Sequence, residues 1–169
     1  MKKFTYTETK DTRSGFGEGL LEAARENENI VGLCADLTGS LKMNAFENEF
    51  PERFFQVGIS EANMMSMAAG MALSGIRPVI YTITPFTTLR CLEQIRIGVA
   101  YHQSPVVIVG TGSGLSYSEL GPTHHSLEDM AVIRTIPNIN GLLFLTRNKT
   151  EILYKKNHNF FFRRRHEAG

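Results

Sequence analysis

The stretch SPVVIVGTG, residues 104–112, is apolar on both faces of any strand it forms. Such a strand must be covered on both sides, which places it inside a parallel sheet sandwiched by helices. The rest of the chain repeats the theme. NIVGLCADL (29–37) is a second continuous apolar run, ending near Asp36, and FFQVGI (54–59), PVIYTIT (78–84) and NGLLFL (140–145) read as further strands. Between them lie stretches with helical spacing. Residues 12–26 place Phe16, Leu20, Leu21 and Ala24 on one face, with Ser14 as a candidate cap. AFENEFPERF (45–54), after the polar loop TGSLKMN, suggests a short helix stopped at Pro51. Residues 61–75, 87–99 and 127–136 suggest three more helices, and NKTEILYKK (148–156) a last short one. This alternation predicts a three-layer α/β/α domain with a mainly parallel sheet. Ligands in such folds collect beyond the carboxyl ends of the strands. Here those ends are followed by residues 36–40, 60–61, 85–86 and 112–124.

Charge and cysteine usage narrow the classes. The formal net charge is +1, so no global field argues for nucleic acid or a membrane surface. The charge is uneven: residues 139–169 hold seven Lys/Arg against two Glu, and the remainder eleven against fifteen. Cys34 and Cys91, the two cysteines, lie in apolar segments without metal-ligand spacing and read as buried free thiols. MKKFTYTETKD lacks the apolar core of a secretory signal, and no run approaches the ~18 apolar residues of a membrane span. A cytoplasmic protein is the expectation. Its organisation reads as an N-terminal extension (1–11), one α/β domain (12–155) and a flexible basic tail (156–169).

Several residues stand out against blander readings. Glu61 opens the helix of VGISEANMMSMAAGMALSG, with Ser60 as its candidate N-cap and Gly75 as its stop. A first-turn glutamate satisfies the helix dipole. A carboxyl at a strand end beside Met64, Met65, Ala68 and Ala69 is also placed to share a proton with a ligand nitrogen. GTGSGLS (110–116) is glycine-rich but matches neither G-x-G-x-x-G nor a P-loop, and reads as an active-site loop. In ELGPTHHS, His124 and His125 cannot both enter one site from an extended loop. They either belong to a turn segment or supply one imidazole to the cleft. Arg163, Arg164 and Arg165 read as a solvated tail, or as a nucleic-acid or partner patch.

Taken together, ADLTGS (35–40), FFQVGISEANMMSMAAGMALSG (54–75), CLEQIRIGVAY (91–101) and ELGPTHHSLEDMAVIRTIPN (119–138) resemble the pyrimidine-binding domain of transketolase, above all the C-terminal subunit of split bacterial transketolases. The likeness runs in order over about residues 12–138. It implies thiamine diphosphate, bound in a cleft between two domains. Glu61 matches the glutamate that bonds a nitrogen of the aminopyrimidine and Phe86 the aromatic on its face. Ile83 and Leu89 stand where some members carry further aromatics, and Asp36 matches an acid near the cofactor. On the substrate side, Ser40 matches a residue near the substrate phosphate, His124 a catalytic histidine that contacts the donor sugar, and Glu119 the acid beside it. Two positions depart from the pattern. Leu120 replaces an aspartate that reads donor stereochemistry, and Gly112 stands where a substrate-binding histidine is usual.

The diphosphate and metal signature, GDG with a later asparagine, is not in this sequence. The resemblance therefore implies a partner subunit that binds the diphosphate and a Mg2+ or Ca2+ ion, in a heteromer of α2β2 type. The implied reaction moves a two-carbon ketol unit from a ketose donor, such as a sugar phosphate, to an aldose acceptor. Two alternatives stay open: a keto-acid dehydrogenase or decarboxylase β-type component, and a catalytically silent paralogue acting as an assembly subunit.

Overall fold

The computed structural model describes residues 12–144 and 160–164. The expected N-terminal extension, the helix at 148–156 and most of the basic tail lie outside the described residues.

Helix α1 (Thr12–Glu26) leads into β1 (Ile30–Cys34). Then come α2 (Asn44–Glu49), β2 (Phe54–Gln56), α3 (Glu61–Leu73) and β3 (Arg77–Ile83). After the short α4 (Thr84–Thr87) and α5 (Leu92–Gln94) follow β4 (Val107–Thr111), α6 (Asp129–Ile133), β5 (Asn140–Phe144) and β6 (Phe160–Arg164). The strands form one six-stranded sheet in the order β2-β1-β3-β4-β6-β5. Every pairing is parallel. The expected parallel α/β architecture is therefore what the chain adopts. Residues 160–164, to which the sequence reading gave no strand, occupy the place between β4 and β5. Their run FFFRR lacks the apolar continuity that marks the other inner strands, which is why they read as tail.

Alternate side chains of β1, β3 and β4 enter two cores. On one face Val31, Leu33, Ile80 and Ile108 meet Met64, Met65 and Ala68 of α3, together with Ile95 and Val99. On the other, Ile30, Cys34, Val79, Tyr81 and Val109 meet Phe16, Leu20 and Ala24 of α1 and Phe46 of α2. The α1 residues recur every fourth position, which aligns them on one stripe. Both cysteines are buried free thiols. Among the described residues no helix is long and apolar enough to cross a membrane.

The continuous helix expected over 87–99 is not what forms. It is broken into α4, a 3-10 turn (Leu89–Cys91), α5 and a π-helical stretch (Ile95–Tyr101). At this point the Thr87 and Thr88 hydroxyls both donate back to the Thr84 carbonyl, at 2.9 and 2.7 Å, alongside the Thr88 amide at 3.1 Å. Such back-bonding slightly destabilises a helix and bends it. The apolar spacing that suggested one helix is still honoured in space: Ile95 and Val99 reach the core. α6 likewise covers only the centre of the expected 127–136 helix.

One contact sets how closely α4 approaches the sheet. Thr84 Oγ1 donates to the Thr111 carbonyl at 2.8 Å. A Cβ at Gly110 would stand 2.8 Å from Thr84 Oγ1 and 2.9 Å from its Cα. Gly110→Ala should therefore destabilise the chain by about 1–3 kcal/mol through overpacking against backbone, read as a lowered urea midpoint by circular dichroism. An unchanged midpoint would mean that α4 can be moved at no cost.

Candidate active site

All strands run the same way, so their carboxyl ends share one edge of the sheet. Register brings those ends side by side: Cys34 pairs with Gln56 and with Tyr81, and Ile83 pairs with Thr111. The loops that follow β1, β2, β3 and β4 therefore meet along this edge.

Glu61 is the first residue of α3. Ser60 holds the cap position, but its hydroxyl does not cap the helix and instead donates to the Val57 carbonyl at 2.8 Å. That bond tightens the turn between β2 and α3 and fixes where Glu61 begins. Glu61 is only 3% exposed. A buried carboxylate needs a partner, since desolvation without one is costly. Its partner is Arg90, whose Nη1 donates to Glu61 Oε2 at 2.8 Å. The guanidinium also lies over the Phe86 ring, 3.9 Å from its centroid. Arg90 keeps a 44% exposed side chain, so the pair straddles the boundary between core and solvent. Phe86 lies in α4 and Arg90 in the 3-10 turn behind it, four residues on.

The Phe86 ring meets the His124 imidazole edge-on at 5.2 Å. His124 in turn meets Tyr117 at 6.4 Å and 88°. Its Nδ1 is 2.9 Å from Thr123 Oγ1. Tyr117 and His124 sit on opposite limbs of one loop, closed at its base by mutual backbone bonds of Gly114 and Ser126, both 2.9 Å. His125 has its Nε2 3.4 Å from the Ser118 carbonyl, and His124 is the one of the pair whose ring packs on Phe86.

Glu61, Phe86 and His124 are brought together in one chain of contacts with Arg90 and Tyr117. Ile83 is buried at the end of β3, and Leu89 is half-buried between Phe86 and Arg90 in sequence. Asp36 and Ser40 belong to the loop after β1 and are exposed. The Asp36 amide donates to Gln56 Oε1, and the Ser40 carbonyl accepts from Arg13, so their bonds run to β2 and α1. Glu119 is exposed, 3.4 Å from the Ser118 hydroxyl. Arg90 and Tyr117 are the residues that sequence reasoning passed over. The readable signal for Arg90 was its spacing of four from Phe86, which in a helical turn puts cation and ring on one face.

Cys91 lies beneath this pair, its thiol donating to the Phe86 carbonyl at 3.1 Å. Burial first, and then the Glu61 charge, push the Cys91 thiol up to about 12, with Arg90 opposing. Burial also raises the Cys34 thiol.

Comparison with known proteins bears on what this site is. Residues 8–160 match the family model "Transketolase, pyrimidine binding domain". The chain is 38% identical over 143 residues to a subunit of apulose-4-phosphate transketolase from Phocaeicola vulgatus, covering 85% of this chain and 46% of that protein. It is 44% identical over 130 residues to a putative transketolase C-terminal section of Methanocaldococcus jannaschii, covering 77% and 41% respectively. A solved structure described as a split gene transketolase, inactive beta4 tetramer, superposes with a TM-score of 0.79 at 35% identity, covering 90% of this chain and 50% of that one. The chain thus spans less than half the length of these two curated relatives.

Two outcomes follow from the geometry. Arg90→Met strands a buried carboxylate and should cost about 1–3 kcal/mol, whereas Glu61→Gln with Arg90→Met should cost less than the two single effects combined, read by a double-mutant cycle in urea. Additive effects would mean that the pair carries no coupling. The raised thiols give a second check. A thiol held above its unfolded value of 9.0 contributes stability that is intact below pH 9 and is lost as pH rises toward about 12. Cys91→Ser should flatten that alkaline decline by at most about 1.4 kcal/mol per pH unit, and native Cys91 should resist iodoacetamide at pH 8 until the chain is unfolded.

Proposed function

The chain belongs to the transketolase pyrimidine-binding domain family, and from that premise we propose that it supplies the pyrimidine half of a thiamine-diphosphate site in a split transketolase. The observation that carries this reading is what Arg90 does in the cleft. A planar, cationic N–H donor lies 3.9 Å above Phe86 and donates to the buried carboxylate of Glu61. Those are the two contacts, a stack and an N–H to carboxyl bond, that a protonated aminopyrimidine needs. The guanidinium is thus a stand-in for the heterocycle, and the donor set fits it. Arg90, half-exposed on a short turn, is the group that must leave the Phe86 face for the heterocycle to take it.

When bound, thiamine diphosphate would supply the carbanion chemistry that two-carbon transfer needs. The chain's own residues hold and aim. Glu61 holds a proton at its carboxyl toward the ring nitrogen, and its burial keeps water from competing for that bond. Phe86 offers the stacking face, with Ile83 and Leu89 as aliphatic packing beside it. His124, braced against Phe86, presents its imidazole to the donor's oxygens, with Glu119 on the same loop. Asp36 lines the cofactor side, and Ser40 receives the substrate phosphate at the far side of the cleft.

A diphosphate-binding subunit with its Mg2+ or Ca2+ ion completes the site in this reading, and transfer runs from a ketose donor to an aldose acceptor. Its support is that one relative is named as a transketolase subunit and a solved neighbour as the product of a split gene. Two buried free thiols suit a reducing cytoplasm.

The test is a two-carbon transfer assay on this chain mixed with the diphosphate-binding half of a split transketolase. Glu61→Gln should lower kcat by about 10²–10⁴-fold with the circular dichroism spectrum unchanged. Full activity in that variant, or no transfer by the wild-type mixture, overturns the reading.

A further inference from the structure

Gly112 directly follows β4 and has φ of +72°, a conformation that favours glycine. Space gives a second reason for it. A Cβ at 112 would stand 2.0, 2.4 and 2.9 Å from carbons of the Tyr117 ring. The volume that a side chain at 112 would claim, at the carboxyl end of a central strand, is therefore filled by Tyr117, five residues on in the loop that Gly112 opens. The ring is held there from two sides. The Gly114–Ser126 bridge closes the loop behind it, and His124 packs edge-on against it at 6.4 Å. His124 has Phe86 as its second aromatic neighbour, at 5.2 Å. The imidazole is thus gripped between two rings, only one of which belongs to the Glu61 side of the cleft. The same loop carries Leu115 and Leu120, 56% and 51% exposed. Exposed leucines and an aromatic ring give this limb an apolar character, where the family pattern has a histidine and an aspartate.

We propose that Tyr117 is a positioning and specificity residue: by occupying the space Gly112 leaves, it fixes His124 against Phe86 and gives the donor subsite an aromatic wall. Such a wall takes the C–H face of a phosphorylated ketose, where a polar side chain at 112 would instead bind one of its hydroxyls. The proposal rests on the reading of His124 as the donor-contacting imidazole.

The experiment has two arms. In the complex with a diphosphate-binding half, kcat/KM is measured for fructose 6-phosphate and for hydroxypyruvate, which donates the same unit without a sugar chain. Tyr117→Leu should shift the ratio of the two by about tenfold, chiefly through KM for the ketose phosphate. Tyr117→Phe should restore the wild-type ratio, and Tyr101→Leu, an exposed tyrosine away from this loop, should leave it unmoved. In the chain alone, the His124 ring-proton signals, assigned through His124→Gln, should move in Tyr117→Leu and stay in Tyr117→Phe. A ratio unchanged in Tyr117→Leu, or His124 signals unmoved by it, overturns the proposal. If the wild-type complex uses neither donor, the transferase reading fails, while the His124 signals still decide whether Tyr117 positions the imidazole.

Discussion

A carboxylate that is 3% exposed cannot stand alone, and the arrangement of the cleft follows from how Glu61 is satisfied. The strand-to-helix turn at Ser60 puts it at the sheet edge, and the only cheap solution there is a cation that can reach in from solvent. Arg90 provides one. The guanidinium also lies over the Phe86 ring, so a single side chain ties α3 to the turn beyond β3. A lysine could neutralise the charge but would not stack in this way.

The chain after β3 bends between these two residues, with Phe86 in α4 and Arg90 in the 3-10 turn. The threonine hydroxyls at 87 and 88 bond back to the Thr84 carbonyl beside the Thr88 amide, which favours a bend, and Gly110 lets that bend lie against β4. The same strand end carries Gly112, which yields its space to Tyr117. Two glycines on either side of Thr111, one for close approach and one for a positive φ, thus shape the two sides of the cleft.

Much of this was legible in the chain itself. Runs such as IVGLC and VIVGT, apolar at alternate and intervening positions, can only be inner strands, and helical stretches between them require parallel pairing. Glu61, Phe86 and His124 fall just past strand ends, where ligands collect, and the structure brings those three into one line. Other features were opaque. Periodicity reports which residues face the core and not whether the ladder joining them is intact, so the broken helix after Thr84 read as one. The strand at 160–164 read as tail because three aromatics followed by arginines lack the apolar run that marks an inner strand.

Sequence by itself therefore determined the layer architecture, the edge at which chemistry gathers and the acid that stands there, because burial and period are local properties of residue order. Only the tertiary structure decided that Arg90 answers that acid, that His124 and not His125 packs on Phe86, and that Tyr117 fills the room left at Gly112. Each of these is a side-chain contact set by how loops and helices pack, which residue order and periodicity do not report.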